Sequence, residues 1–265
     1  MSSNLFLLVC FFIFGAMIGS FLNALIYRLP RNINVAFPRS SCPHCKALIH
    51  WYENIPILSF FFLKGRCASC GEKISIRYPL IELICGIASL CFAPRDFVTW
   101  QVGLELFELM YFFFFFSTFC AFLVHFLIDL EHKILPDSVN LYLLALFLVF
   151  SLWSNDYKFV LFGGAIGFGV TYLVTWGFYL LRGKIGLGGG DIKLFGVLGL
   201  YLGPIGVIHN IFLSCFLGAL VGGGAILVKR MSSNAQLPFG PFIIVVASFQ
   251  IFFPRFFEQF ISLII

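Results

Sequence analysis

Two aspartates stand where carboxylates are unexpected. Asp129 follows the apolar Leu127-Ile128 and opens the segment Asp129-Leu-Glu-His-Lys-Ile-Leu-Pro-Asp137, and Asp191 ends Gly186-Leu-Gly188-Gly-Gly190-Asp191 and opens a further apolar stretch. Ionisable groups at membrane depth are costly and mark function by default. Two such carboxylates that meet share one proton, so that one activates water while the other protonates a scissile carbonyl, which is aspartyl protease chemistry. Glycines beside Asp191 let backbone approach closely, with Gly188 and Gly190 as the active-site loop, and a carboxylate opening a helix gains from its dipole. Taken singly, each Asp also reads as a helix cap or an interfacial solvated residue, and Asp137 reads as the cap of the span that follows it. As an ion-binding pair in a transporter or assembly scaffold, the two would be expected near the bilayer midplane.

A second constellation is made of thiols. Cys42-Pro-His-Cys45 and Cys67-Ala-Ser-Cys70 are two C-x-x-C pairs at the spacing of a four-thiolate zinc site. Two residues between thiols turn both sulfurs of a knuckle toward one tetrahedral metal. A segment of about fifty residues has too little core to fold unaided, and a closed metal site supplies folding free energy directly. A structural zinc is the favoured reading, with redox-active thiols and a catalytic zinc as alternatives. His44 lies between two ligands and competes as a fifth donor, although an exposed position is expected for it. Cys10, Cys85, Cys91, Cys120 and Cys215 lack paired spacing and read as small buried hydrophobes.

The elements that must position these groups are membrane elements. The 265 residues are 60% apolar, 19% aromatic and 11% charged, with a mean hydropathy of +1.00. Soluble domains carry about a quarter charged residues, so the solvent for most of this chain is lipid. Disorder, nucleic-acid binding and secreted disulfide scaffolds are excluded by the same composition. A transmembrane helix needs about 20 apolar residues. About eight such stretches are expected, at 5–27, 79–93, 98–128, 139–153, 159–181, 192–202 with an extension to 209, 211–228 and 241–264. The expected fold is an all-α polytopic membrane protein with a small zinc-binding domain between helices 1 and 2. Its parts are a first helix at 1–27, the four-cysteine domain at 28–78 and a transmembrane peptidase domain at 79–265. The first stretch lacks a basic leader region and a small-residue cleavage site and reads as retained. With loops assigned to alternate sides, all of the 17 Lys and Arg except Arg95, Lys158 and Arg255 fall on one side, which the positive-inside rule makes cytoplasmic. Both Asp and all four paired Cys lie on that side. The Phe112–Phe116 run reads as lipid-facing or helix-packing bulk. No internal repeat is visible.

Several motifs in order carry a family resemblance. Gly19-Ser-Phe-Leu-Asn23 with Tyr27-Arg-Leu-Pro30, the two C-x-x-C pairs, Trp51-Tyr-Glu-Asn-Ile-Pro56, Arg77-Tyr-Pro-Leu-Ile-Glu82, Ile128-Asp129 to Leu135-Pro-Asp137, Gly188-x-Gly190-Asp191-x-Lys193 and Pro238-Phe-Gly-Pro-Phe242 span nearly the whole chain. They resemble the type IV prepilin peptidases, bifunctional bacterial inner-membrane enzymes that cleave prepilin leaders and N-methylate the new terminus. The G-x-G-D element is shared with other intramembrane aspartyl proteases.

The resemblance implies that Asp129 and Asp191 are the catalytic pair and that Cys42, Cys45, Cys67 and Cys70 form the metal-type cluster. It implies type IV prepilins or type II secretion pseudopilins as substrates, with a basic leader ending in Gly before an apolar helix that begins with Phe. Glu53, Glu72, Glu82, Glu131 and Asp137 are the acidic groups open to such a leader. It also implies S-adenosylmethionine as methyl donor. No G-x-G-x-x-G after a strand is present to bind it, which leaves an unconventional pocket around Asn23 and Arg28 with its residues unassigned.

Overall fold

The computed structural model describes residues 2–37, 39–94, 106–184, 186–228 and 237–264. The chain divides into two compact units, Met1–Cys120 and Ala121–Ile265. Among the described residues every regular element is helical, and pairing between extended segments is confined to two isolated bridges.

In the first unit, α1 (Ser2–Arg28) runs for 27 residues, about 40 Å at 1.5 Å per residue. Arg28 in its last turn suits the negative end of the helix dipole, and its guanidinium donates to the carbonyls of Asn34 at 3.2 Å and Val35 at 2.7 Å, turning the chain back on itself. The polar segment that follows carries a short α2 (Leu58–Phe62) and then α3 (Arg77–Phe92). α3 packs along α1 because α1 offers glycines: a Cβ on Gly19 would lie 2.7 Å from the Cα of Glu82. Asn23 Nδ2 donates to the Tyr78 carbonyl at 3.1 Å across this contact. The long α4 (Leu106–His132) begins in this unit. Phe112 and Phe116 share one buried face of α4, and Phe114, about 200° round the helix, is buried on another, while Phe113 is exposed.

The second unit holds the end of α4 together with α5 (Asp137–Ser154), α6 (Tyr157–Arg182), α7 (Gly189–Leu227), α8 (Gly240–Phe252) and α9 (Pro254–Ile264). Its core is Leu143, Phe147, Val160, Leu194, Leu198, Val207, Ile243 and Ala247. α6 and α7 lie so close that a Cβ on Gly163 would run into the Gly199 carbonyl oxygen, the small-residue contact by which membrane helices associate. α7 has 39 residues, about 58 Å. It breaks at Gly203 (φ 69°), followed by Pro204, where the Phe159 ring leaves no room for a side chain. Buried Asn210 donates to Gln250 Oε1 at 2.7 Å and Gln250 donates to the Gly206 carbonyl at 2.8 Å, which ties α8 to α7 past the break.

Five helices among the described residues are long and apolar enough to cross a membrane: the stretch Leu5–Arg31 around α1, and α4, α5, α6 and α7. The pair α8 and α9, bent by 108°, makes a sixth if counted as one span. The eight expected stretches map onto these elements unevenly. Those at 192–202 and 211–228 share α7 across its break. The one at 79–93 is α3, whose 16 residues reach about 24 Å. The one at 241–264 is not straight, because Phe253 and Pro254 end α8 and redirect the chain. The start of the stretch at 98–128 lies outside the described residues, as does Arg95 before it.

Candidate active site

Four segments of the second unit converge on Asp129. The residue sits in the last turn of α4, 4% exposed, and the helix closes behind it through Lys133 (φ 56°), whose N–H reaches the Asp129 carbonyl at 2.9 Å. The connection to α5 then lays Leu135 inward. From the start of α8, the Gly240 N–H donates to Asp129 Oδ2 at 2.9 Å, a buried bond between residues far apart in the chain. A Cβ at Gly240 would lie 2.8 Å from that oxygen and 3.0 Å from Leu135 Cδ2. From the start of α7, a Cβ at Gly190 would lie 2.9 Å from Leu135 Cβ. Leu135 is therefore clasped between two glycines.

Asp191 occupies the first turn of α7, half-buried and within electrostatic reach of Asp129. Its Oδ2 accepts the Gly188 N–H at 3.2 Å, the back-reaching half of a capping box. Each carboxylate thus holds one backbone donor while sharing a neighbourhood with the other. A pair so placed can act on one reacting group, one carboxyl holding a proton and the other lacking it. Both lie at helix ends, Asp129 in the last turn of α4 and Asp191 in the first turn of α7.

Asp137 behaves differently from a cap. Pro136 is the N-cap of α5 with no side-chain cap bond, and Asp137 in the first turn pairs with Lys193 Nζ at 2.7 Å. Two buried polar residues near the site carry no role in the sequence reading. His125, one turn before Asp129 on α4, is fully buried, and Asn140 on α5, 4% exposed, is its side-chain neighbour. The signal for His125 was an ionisable residue inside the apolar run Val124-His125-Phe126. Gly240 lies in a motif already noted, but nothing local marks it as a partner of Asp129.

In the first unit the four paired cysteines come together, with all four sulfurs within 4.8 Å of one another and Cys42 Sγ to Cys70 Sγ at 4.0 Å. The two knuckles are copies of one turn. Cys42 N–H bonds the Ala47 carbonyl and Lys46 N–H the Cys42 carbonyl, and Cys67 repeats this with Glu72 and Gly71. Bridges Ser41–Leu48 and Arg66–Lys73 close each knuckle, and Lys46 (φ 61°) and Gly71 (φ 72°) take its left-handed position. This small repeat escapes the sequence because only the cysteines match in type. The Cys45 N–H foremost, then that of His44 and the neighbouring thiols, pulls the Cys42 thiol down to about 7 against desolvation. At Cys70 the Glu72 N–H acts downward but is overridden by desolvation and by the Cys45, Cys67 and Cys42 thiols, which push it up to about 12. His44 is exposed. Glu82 is buried, its carboxylate accepting the N–H of Ile57 at 2.7 Å, so it is engaged within its own unit.

Comparison with known proteins matches the two halves separately. Residues 13–95 match the Bacterial Peptidase A24 N-terminal domain, and residues 112–223 match the Type IV leader peptidase family. The prepilin leader peptidase/N-methyltransferase of Stutzerimonas stutzeri is 33% identical, over 92% of this chain and 90% of that protein. The proteins of the same name from Aeromonas hydrophila and Neisseria gonorrhoeae are 36% and 35% identical, each over 88% of this chain and 86% of the relative. No solved structure matches. The first matched region carries the four paired cysteines and the second carries Asp129, Leu135 and Asp191, and on this evidence the chain belongs to the type IV leader peptidase family.

Proposed function

We propose that this membrane protein is a prepilin leader peptidase/N-methyltransferase, as its relatives are named, and that Asp129 and Asp191 carry the peptidase half. The observation that carries the assignment is that two carboxylates, from the last turn of α4 and the first turn of α7, lie within electrostatic reach of each other with a backbone N–H fixing each. The ionised carboxyl takes a proton from water as the hydroxyl oxygen attacks the scissile carbonyl carbon, and the protonated carboxyl gives its proton to the carbonyl oxygen. Collapse of the tetrahedral intermediate breaks the C–N bond as the proton taken from water passes to the leaving nitrogen and one hydroxyl of the intermediate returns its proton to the other carboxyl.

The substrate class follows from the family name: a prepilin or pseudopilin with a basic leader and an apolar helix. Both candidate aspartates on the side that carries most of the Lys and Arg puts the scissile bond at the cytoplasmic boundary of a bacterial inner membrane. With five or six candidate spans among the described residues, the division into a first helix, a four-cysteine domain at 28–78 and a peptidase domain at 79–265 is part of this reading.

The cysteine cluster fits a metal. Tetrahedral thiolates at about 2.3 Å from zinc lie about 3.8 Å apart, close to the Cys42–Cys70 separation of 4.0 Å. Cys42, Cys45, Cys67 and Cys70 would hold zinc as a cross-link between the two knuckles, a structural role. S-adenosylmethionine is the methyl donor that the relatives' name implies, and no residue is assigned to it. Arg28, near the end of the first helix, donates to the carbonyls of Asn34 and Val35. No step of methyl transfer is assigned to a residue.

The test is leader cleavage of a Gly-Phe prepilin by purified chain, with Asp129→Asn and Asp191→Asn as variants and mass spectrometry of the mature N-terminus. Each variant should stay folded and lose cleavage by about 10²- to 10⁴-fold, and the wild-type product should carry one added methyl. Near-normal cleavage by either folded variant removes the aspartyl assignment.

A further inference from the structure

In the first unit the stretch between the two cysteine pairs exposes apolar side chains that a polar segment would ordinarily hide. The 3₁₀ turn Trp51–Asn54 leaves Trp51 at 77% exposure and Tyr52 more than half exposed. α2 lies against this turn. Leu58, Phe61 and Phe62, at i, i+3 and i+4, form one face of α2, and all are exposed, Phe61 at 69% and Phe62 at 81%. Phe60 points the other way, its ring 3.1 Å from where a Cβ on Gly65 would stand. Exposed apolar groups gathered in one short stretch mark a contact with protein or membrane.

Three observations favour lipid as the occupant. The first is depth. The Ile57 N–H, at the start of α2, donates to Glu82 Oε2 at 2.7 Å, and Glu82 packs at Gly19 of α1. α1 has no charged side chain before Arg28, and Gly19 lies about 14 Å before Arg28 along the helix. α2 is therefore tied to a level inside the candidate span Leu5–Arg31, on the apolar side of its charged end. The second is the backbone, since the N–H groups of Ser59, Phe61 and Leu63 reach the carbonyls of Ile55, Ile57 and Ser59, as apolar surroundings require. The third is charge. Residues 39–76 carry five Lys and Arg, all exposed, against only Glu53 and Glu72, and Lys64 and Arg66 follow the exposed face directly. Aromatic rings beside Lys and Arg are the composition of a membrane interface, and the cations complement anionic headgroups.

We propose that residues 51–66 form a lipid-docking surface: Trp51, Phe61 and Phe62 enter the interfacial layer of the bilayer beside α1, and Lys64 and Arg66 pair with the phosphates of anionic headgroups. The two cysteine knuckles that flank this stretch are thereby held at the membrane surface. This surface does not depend on the peptidase reading.

The test uses full-length chain in lipid vesicles, with Trp51 kept as the single tryptophan by replacing Trp100, Trp153 and Trp176 with Phe. In vesicles whose acyl chains carry bromine, Trp51 should lose most of its emission, and iodide in the water should quench it little. Strong quenching by iodide, the mark of a solvated ring, or quenching by neither agent, the mark of cover by protein, overturns the docking surface. A second measurement uses the chain with its tryptophans intact. Amide exchange at Ser59, Phe61 and Leu63 should be about 25-fold slower in vesicles containing phosphatidylglycerol than in phosphatidylcholine alone, as two cations at an anionic surface provide. Lys64→Gln with Arg66→Gln should abolish that difference. Equal exchange of the wild type in the two lipids, or a difference that survives the double substitution, overturns the role of the two cations.

Discussion

At the scale of the residue, the glycines near the two aspartates are not interchangeable. Gly240 is required twice, because its N–H holds Asp129 and a Cβ there would sit 2.8 Å from the carboxylate oxygen. Gly190 is required by Leu135, whereas Gly189 between the motif's outer glycines has nothing within 4 Å. Gly240→Ala should therefore lower kcat about 10²-fold, as loss of an aligned backbone donor in a low-dielectric site does. Gly189→Ala, adding one methyl to open space at a helix start, should keep activity and change stability by no more than about 0.5 kcal/mol. Steady-state cleavage kinetics and thermal unfolding of the two variants check this. Equal losses in both would mean that the whole loop is needed for flexibility and not for room.

At the scale of the element, the seam between α6 and α7 controls where Asp191 sits, since Asp191 is part of α7. No hydrophobic drive joins helices in lipid, so this seam depends on close backbone packing. Gly163 faces the Gly199 carbonyl, and Gly169 on the same helix α6 meets open space. Gly163→Ala should destabilise by about 1–3 kcal/mol through overpacking. Gly169→Ala should be neutral or stabilising by up to about 1 kcal/mol through helix propensity. Melting curves in detergent separate the two, and matching shifts would place the seam's stability elsewhere than in backbone proximity. The same element explains why two apolar stretches read from hydropathy prove to be one broken helix. Hydropathy registers the polar gap, but the turn at Gly203 is made by a φ of 69° that the Phe159 ring keeps free of a side chain.

At the scale of the whole molecule, the chain joins a helical membrane body to a polar segment that has little core of its own. Four sulfurs within 4.8 Å without a metal would compete for protons, as the opposite displacements of Cys42 and Cys70 show, and a metal removes the competition by holding all four as thiolates. Cys67→Ser, or chelation of wild type, should release the metal and make 28–78 sensitive to protease together, with metal analysis and limited proteolysis as the readouts. Metal loss that leaves the segment protected would reject a structural role.

What the sequence determined by itself was local. Membrane helices follow from about 20 apolar residues in a row, and five stretches met that measure directly. The knuckles follow from C-x-x-C spacing, because each is closed by hydrogen bonds a few residues apart. The candidate aspartates stood out because a carboxylate beside an apolar run is costly wherever the chain goes. The tertiary structure alone decided which distant groups meet. It set Gly240 against Asp129, clasped Leu135 between two glycines, turned Asp137 from a cap into the partner of Lys193, bent the chain by 108° after α8 and brought Asn140 to His125. The physical reason is that spans and knuckles sum interactions along contiguous residues, whereas these contacts arise from helix packing between segments whose separation along the chain carries no period to read.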